Sequence, residues 1–250
     1  MQKILFVDLD DTLFQSHGKC TSSSELIPLA YLKDGRPISY ASISQMATLQ
    51  MFQKEMLVIP VTARNLDAFS RVKINFHHGA VLNYGGVVLN PDLSIDEFWM
   101  ERSRNQSLIE IETLNNFKEY IEIEAEKSSS DLSIRIIYDF SLPFYVVVKS
   151  LSGDTTAITK IAELCQTRKN ICNLKDYRIH VNGNNLAILP GWLDKRNAVK
   201  YLLETSFKDK GPFITFGMGD SLIDIGFMAS CHYMIVPTTS QIAHNRLGEI

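Results

Sequence analysis

Few features of this sequence point to a disulfide frame, a zinc knot, a nucleic acid or a bilayer. The 250 residues include only four cysteines, Cys20, Cys165, Cys172 and Cys231, far apart and without a CxxC pair. That spacing argues against both a stapled frame and a paired zinc site, and reads as reduced thiols of a cytoplasmic protein. Basic residues are in no excess, 25 Lys and Arg against 28 Asp and Glu, with a net charge of -3 and a pI near 6.1. A phosphate backbone would find no basic patch to hold it, so no nucleic-acid partner is expected. No apolar run approaches the length of a bilayer span, and no secretory n-region and h-region precede the first apolar segment. A soluble, cytoplasmic chain is therefore expected, with no membrane partner and no evident obligate protein partner. Low-complexity tracts are lacking too.

What is present suffices for a packed core, since 45% of residues are hydrophobic. The length suits one large α/β domain, or a core with a small second lobe. Short apolar runs at 4–7, 57–61, 80–82 and 213–216 read as parallel strands of one central sheet. A long polar stretch follows the first, then Met46, Leu49 and Phe52 at steps of three predict a helix over 43–52. Residues 107–127 place Ile111, Leu114, Phe117, Ile121 and Ala125 at helical spacing among charges, an amphipathic surface helix.

Two strand-like runs follow at 132–138 and 144–148, separated by a turn containing Pro143. A helix to about Lys169 comes next, then strands at 177–181 and 186–189 around Asn182-Gly183-Asn184-Asn185, a hairpin signature. Helix, two strands, helix, two strands make a self-contained α+β lobe over 87–190, bounded by glycines near Gly86 and Gly191. The sheet pattern before residue 86 resumes after residue 191 with a helix over 195–205. The last ten residues are polar and read as loosely held. The expected fold is thus α/β, a Rossmann-like doubly wound core (1–86 and 191–250) with an inserted α+β lobe.

The chemistry-bearing residues gather at strand ends. Lys3 to Leu13 read Lys-Ile-Leu-Phe-Val-Asp-Leu-Asp-Asp-Thr-Leu, so Asp8 and Asp10 sit on alternate positions at the C-terminal end of the first strand, with Thr12 beyond. In open α/β sheets ligands bind at that edge. Two acids at i and i+2 can take different roles, one as nucleophile or metal ligand, the other as proton carrier. Thr62 ends the second strand, with Arg64 two residues on as a substrate-binding candidate. Lys195 follows Asp194, and Asp220 and Asp224 lie four apart, on one face if helical. Four converging carboxylates require a counter-ion, and Mg²⁺ suits oxygen ligands and a phosphate. His77 and His78 diverge on a strand and do not read as a metal pair. Asp11 reads as a turn residue, and Trp99 and Trp192 as packing residues.

These four motifs, in this order, resemble those of the haloacid dehalogenase superfamily. The branch is the phosphatases with an α/β cap inserted between the second and third motifs, such as the Cof-like, sucrose-phosphate and trehalose-phosphate phosphatases. The resemblance covers the core; the lobe matches in size and element order. It implies Asp8 as the nucleophile that takes the phosphoryl group, and Asp10 as the acid and then the base. It further implies Thr62 and Lys195 at the phosphoryl group; Thr12 and Arg64, beside these residues, are candidate substrate contacts. Mg²⁺ would be held by Asp8, the Asp10 carbonyl, Asp220 and Asp224. Two positions depart from the family's usual pattern: Arg196 stands where glycine follows the lysine, and Ile223 where asparagine precedes the last acid. The implied activity is hydrolysis of a small phosphorylated metabolite, a sugar phosphate by preference. A phosphomutase and a non-hydrolytic phospho-acceptor remain as alternatives at this point.

Overall fold

Ile4, Leu5, Phe6 and Val7 have no accessible surface, the state of a strand covered on both faces. The computed structural model describes residues 1–20, 25–208 and 210–246. In chain order these form β1 (Gln2–Val7), β2 (Gln15–Ser16), β3 (Ile27–Tyr31), β4 (Pro37–Ala41), α1 (Ile43–Glu55), β5 (Leu57–Pro60), α2 (Leu66–Phe69), β6 (Ala80–Leu82) and β7 (Val87–Leu89). There follow α3 (Glu97–Lys127), β8 (Leu132–Asp139), β9 (Leu142–Ser150), α4 (Thr155–Ile171), β10 (Arg178–Asn182) and β11 (Asn185–Leu189). The chain closes with α5 (Lys195–Thr205), β12 (Phe213–Met218), α6 (Ile225–Met228), β13 (Tyr233–Ile235) and α7 (Gln241–Arg246). Among the described residues no helix is long and apolar enough to cross a membrane.

Two units result, Met1–Met100 with Asp194–Ile250, and Glu101–Leu193. In the first, a four-stranded sheet runs in the order β13-β12-β1-β5, every pair parallel. Ile4 and Phe6 share a core with Ala198, Val199 and Leu202 of α5 and with Phe227 and Met228 of α6. Burying each of these side chains larger than Ala198 contributes about 1.5–3 kcal/mol. α1 begins at a capping box, in which the Ser42 side chain accepts from the Gln45 amide and the Gln45 side chain accepts from the Ser42 amide. It buries Leu49 and Phe52, two of the three residues that predict it.

Several expectations are revised. The run at 80–82 forms its ladder outside the four-stranded sheet, pairing antiparallel with β7, and meets the chain just beyond β5 through a parallel Val61–Val81 bridge and the Thr62 amide, which donates to Val81 O at 2.8 Å. The Gly85-Gly86 turn therefore lies inside this hairpin. The first unit continues to Met100 because Trp99 is buried in its core. At the other end the first unit resumes at Asp194. The polar stretch after β1 carries a small antiparallel sheet, β2-β4-β3. Of the last ten residues, 247–250 lie outside the described ones, while Ile242 and Ala243 of α7 are buried.

The second unit is an antiparallel sheet in the order β10-β11-β9-β8. Leu114, Phe117 and Ile121 of α3 and Ile158, Ile161 and Cys165 of α4 bury with Val146, Val148, Leu186 and Ile188 of the sheet. α3 starts ten residues before the predicted stretch, since Asp96 caps it through the Trp99 amide at 2.9 Å. Pro143 lies within β9, where the register shifts beside Tyr138. The turn itself is Phe140-Ser141, with φ of 48° and 62°, the left-handed pair that suits the twist of a two-residue hairpin. The β10–β11 hairpin turns at Gly183-Asn184, within the four residues that the sequence marks.

Candidate active site

β1 ends where its partners end, and this alignment assembles the site. Val7 is in register with Pro60 on one side and Met218 on the other. The Asp8 amide donates to Met218 O at 2.9 Å, and the Val61 amide to Val7 O at 2.8 Å. Asp8, Thr62 and the Gly219-Asp220 turn thus leave the sheet at one edge. The chain then reverses tightly, the Leu13 amide donating to Leu9 O at 2.9 Å and the Asp11 amide to Phe14 O at 2.7 Å. Asp11 adopts a left-handed φ of 62° and pairs with Lys19 at 2.5 Å, a turn residue as expected.

Lys195, the first residue of α5, carries its ammonium to 2.6 Å from Asp8 Oδ1 and 2.6 Å from Asp224 Oδ1. Asp194 precedes it as the N-cap, accepting from the Arg196 amide at 2.8 Å. The Arg196 guanidinium packs against Gly226. Asp220 and Asp224 do converge, but through a turn rather than helical pitch. Asp224 Oδ2 accepts from the Ser221 amide at 3.1 Å and the Ser221 hydroxyl at 2.6 Å, which folds the segment before α6 begins. Thr12 donates its hydroxyl to Asp220 Oδ1 at 3.2 Å. Arg64 forks onto Asp10, with Nε and Nη2 each 2.7 Å from a carboxylate oxygen. Its guanidinium is braced by Ala68 O at 3.3 Å and lies 5.3 Å from the centre of the Phe14 ring. Thr62 is buried and accepts from the Arg64 amide at 3.2 Å.

Asp8, Asp220 and Asp224 each offer an oxygen within 4.8 Å of the others, and all three are buried. Burial pushes the Asp8 carboxyl well above its usual range; Lys195 pulls it back, and Asp224 and Asp220 add to the rise. Asp220 is pushed up to about 7 by burial, then by Asp224 and Asp11, with Lys195 and the Thr12 hydroxyl opposing. Burial draws the Lys195 ammonium down, but Asp224 and Asp8 outweigh it and raise its pKa above the ordinary lysine value. Three carboxylates against one ammonium leave an excess of negative charge in a dry place. The donor set is all hard oxygen, without Cys or His, and fits a divalent cation of the Mg²⁺ type. Among the described residues this is the one such cluster, and His77 and His78 lie outside it.

Every acid that the sequence singled out except Asp10 takes part in this buried cluster. The sequence reading missed Ser221, the partner of Asp224, although a serine three residues before an acid suggests a local side-chain bond. It also missed the Arg64–Asp10 pairing, which spans 54 positions and leaves no local trace.

Several solved structures share this fold. The chain covers 92% of its own length and 73% of the other chain in the C-terminal domain of Candida albicans trehalose-6-phosphate phosphatase, at a TM-score of 0.56 and 15% identity. With the Synechocystis sucrose-phosphatase, solved in complex with sucrose and phosphate, coverage is 99% and 89%, the TM-score 0.55 and identity 14%. A haloacid dehalogenase-like hydrolase from Bacillus subtilis gives 94% and 89%, 0.54 and 11%. At these identities the likeness is one of fold. No protein-family model and no curated protein matches the chain by sequence.

Proposed function

We propose that this protein is a Mg²⁺-dependent phosphomonoesterase that hydrolyses a small phosphorylated metabolite, a sugar phosphate by preference, through an aspartyl phosphate on Asp8. The observation that carries this reading is the buried ring of Asp8, Lys195, Asp224 and Asp220 at the sheet edge, with Asp10 two residues from Asp8. The fold of known sugar-phosphate phosphatases supports the substrate class.

Asp8 attacks phosphorus, and the new O–P bond forms as the bond to the leaving oxygen breaks. Asp10 gives its proton to the departing alkoxide. In the second half Asp10 takes a proton from the water that attacks the aspartyl phosphate, so inorganic phosphate leaves and Asp8 is regenerated. Splitting one displacement into two lowers each barrier. Thr62 holds a phosphoryl oxygen. Lys195 offsets charge on Asp8 and the phosphoryl group, and electrostatic positioning of this kind dominates phosphoryl transfer. Arg64 holds the Asp10 carboxylate in place by its fork, a bidentate geometry that a lysine could not supply. Asp8, Asp220, Asp224 and the Asp10 carbonyl would hold Mg²⁺, which when bound supplies compensating positive charge to the acids and the phosphate. To the unit Glu101–Leu193 we assign the role of a cap that supplies substrate specificity.

The test is repeated release of phosphate from p-nitrophenyl phosphate. Turnover stops with EDTA and with Asp8→Asn, and Asp10→Asn lowers kcat by roughly 10²–10⁴-fold with the fold intact. A phosphoprotein that persists for minutes in Mg²⁺ buffer without turnover would overturn the reading in favour of a phospho-acceptor.

A further inference from the structure

We propose that the run Asn83-Tyr84-Gly85 is a positioning element that sets the ammonium of Lys195, with Gly85 as its point of contact; this rests on the phosphatase reading above. The three residues are consecutive in the left-handed region, at φ of 51°, 55° and 100°. Two of them carry side chains, for which that conformation is unfavourable. Such strain persists only where the surroundings over-determine it, and here they can be named. The Asn83 amide donates to Arg64 O at 2.9 Å and the Tyr84 amide to Thr62 O at 3.1 Å. The turn is thereby tied to the segment that carries Thr62 and Arg64.

On its other side the turn carries α5. A Cβ at Gly85 would stand 2.5 Å from Asp194 O, 2.8 Å from Asp194 C and 3.0 Å from the Lys195 amide nitrogen. All three are backbone atoms, so only a hydrogen fits and the first peptide of α5 rests on the glycine. Gly85 O accepts from Trp99 Nε1 at 2.9 Å. The Trp99 ring lies 4.7 Å from that of Tyr201 on α5, whose hydroxyl donates to the Asp96 carboxylate at 3.0 Å. The turn therefore fixes the helix that delivers Lys195 and, through Thr62 O, the segment that carries Thr62.

The lysine stem cannot absorb a shift of this peptide. Its ammonium is bounded by the Tyr84 ring at 5.9 Å and the Phe227 ring at 5.7 Å, and the residue is 3% exposed. Moving the start of α5 moves the charge away from Asp8.

The experiment compares Gly85→Ala with Gly79→Ala. Gly79 has the same kind of constraint, a φ of 87° and a Cβ that would lie 2.4 Å from Leu89 O, but the nearest atoms that Cβ would meet belong to Leu89 and Asn90 rather than to α5. Both variants lower the melting temperature. Gly85→Ala lowers kcat on p-nitrophenyl phosphate by about 10²-fold with KM changed less than about threefold, the mark of lost transition-state positioning. Gly79→Ala keeps the wild-type kcat per folded molecule. The ¹⁵N resonance of the Lys195 ammonium shifts or broadens in Gly85→Ala and stays in place in Gly79→Ala. That readout holds even if wild-type protein hydrolyses nothing, a result that would remove the phosphatase reading and leave the positioning claim to the resonance alone. Should Gly85→Ala not fold, Trp99→Phe, which deletes the donor to Gly85 O, moves the same resonance and lowers kcat several-fold. Unshifted resonances, or activity lost by both glycine variants only in proportion to their unfolded fraction, would overturn the proposal.

Discussion

A carboxyl group taken out of water beside two others holds its proton to higher pH than one in solution, and Asp220 is the clearest case, raised from 3.8 to about 7. Where the folded value lies above the unfolded one, the folded state binds a proton that the unfolded chain releases. The contribution is complete below about pH 4 and is lost as pH rises through about 7. Asp8 acts in the same direction. Without a divalent cation, the melting temperature therefore falls between about pH 5 and about pH 7.5, and it falls less in Asp220→Asn. A cation binds the ionised carboxylates and competes with those protons. Saturating Mg²⁺ is thus expected to raise the melting temperature more at the higher pH, as read by scanning fluorimetry against EDTA controls. Equal rises at both pH values would show that the ion does not bind this cluster.

At the scale of elements, local rules hold where the residues that enforce them are close in sequence. α1 is an example: Ser42 and Gln45 satisfy each other's amides, while Leu49 and Phe52 supply the buried face. Ser42→Ala is expected to cost about 1 kcal/mol, within the 0.5–2 kcal/mol of N-cap deletions, measured as a shift in the urea midpoint. An unchanged midpoint would mean that tertiary packing alone holds the helix start. The β2-β4-β3 sheet shows the opposite case. Its strands are short, β3 and β4 contain Pro28 and Pro37, and β3 is irregular in register, so no alternation over four to eight residues announces them. β6 illustrates a different failure. Its three apolar residues match a buried parallel strand, and Val81 does make one parallel bridge to Val61, yet its ladder is the antiparallel one to β7.

At the scale of the molecule, the unit Glu101–Leu193 has its own core, built from one face each of α3 and α4 and one face of its sheet. Excised at those residues, it is expected to give a mixed α/β circular dichroism spectrum and a cooperative melt. A broad, non-cooperative transition would show that its stability depends on the rest of the chain. Much of this architecture was legible in the residues. The buried run Ile4–Val7, the helical spacing of Leu114, Phe117 and Ile121, and the Asn-Gly hairpin each encode their geometry within a few positions. The residues proposed for the site could be picked out as well, since Asp8, Thr62, Lys195 and Asp220 each stand at an end or start of an element that the sequence announces. What the sequence could not hold is pairing at a distance. That Lys195 lies between Asp8 and Asp224, that Arg64 grips Asp10, and that Gly85 bears the first peptide of α5 were decided by the tertiary structure alone. Periodicity fixes which face a residue occupies, whereas contacts across tens or hundreds of positions depend on how strands align and helices pack, and no local pattern carries that.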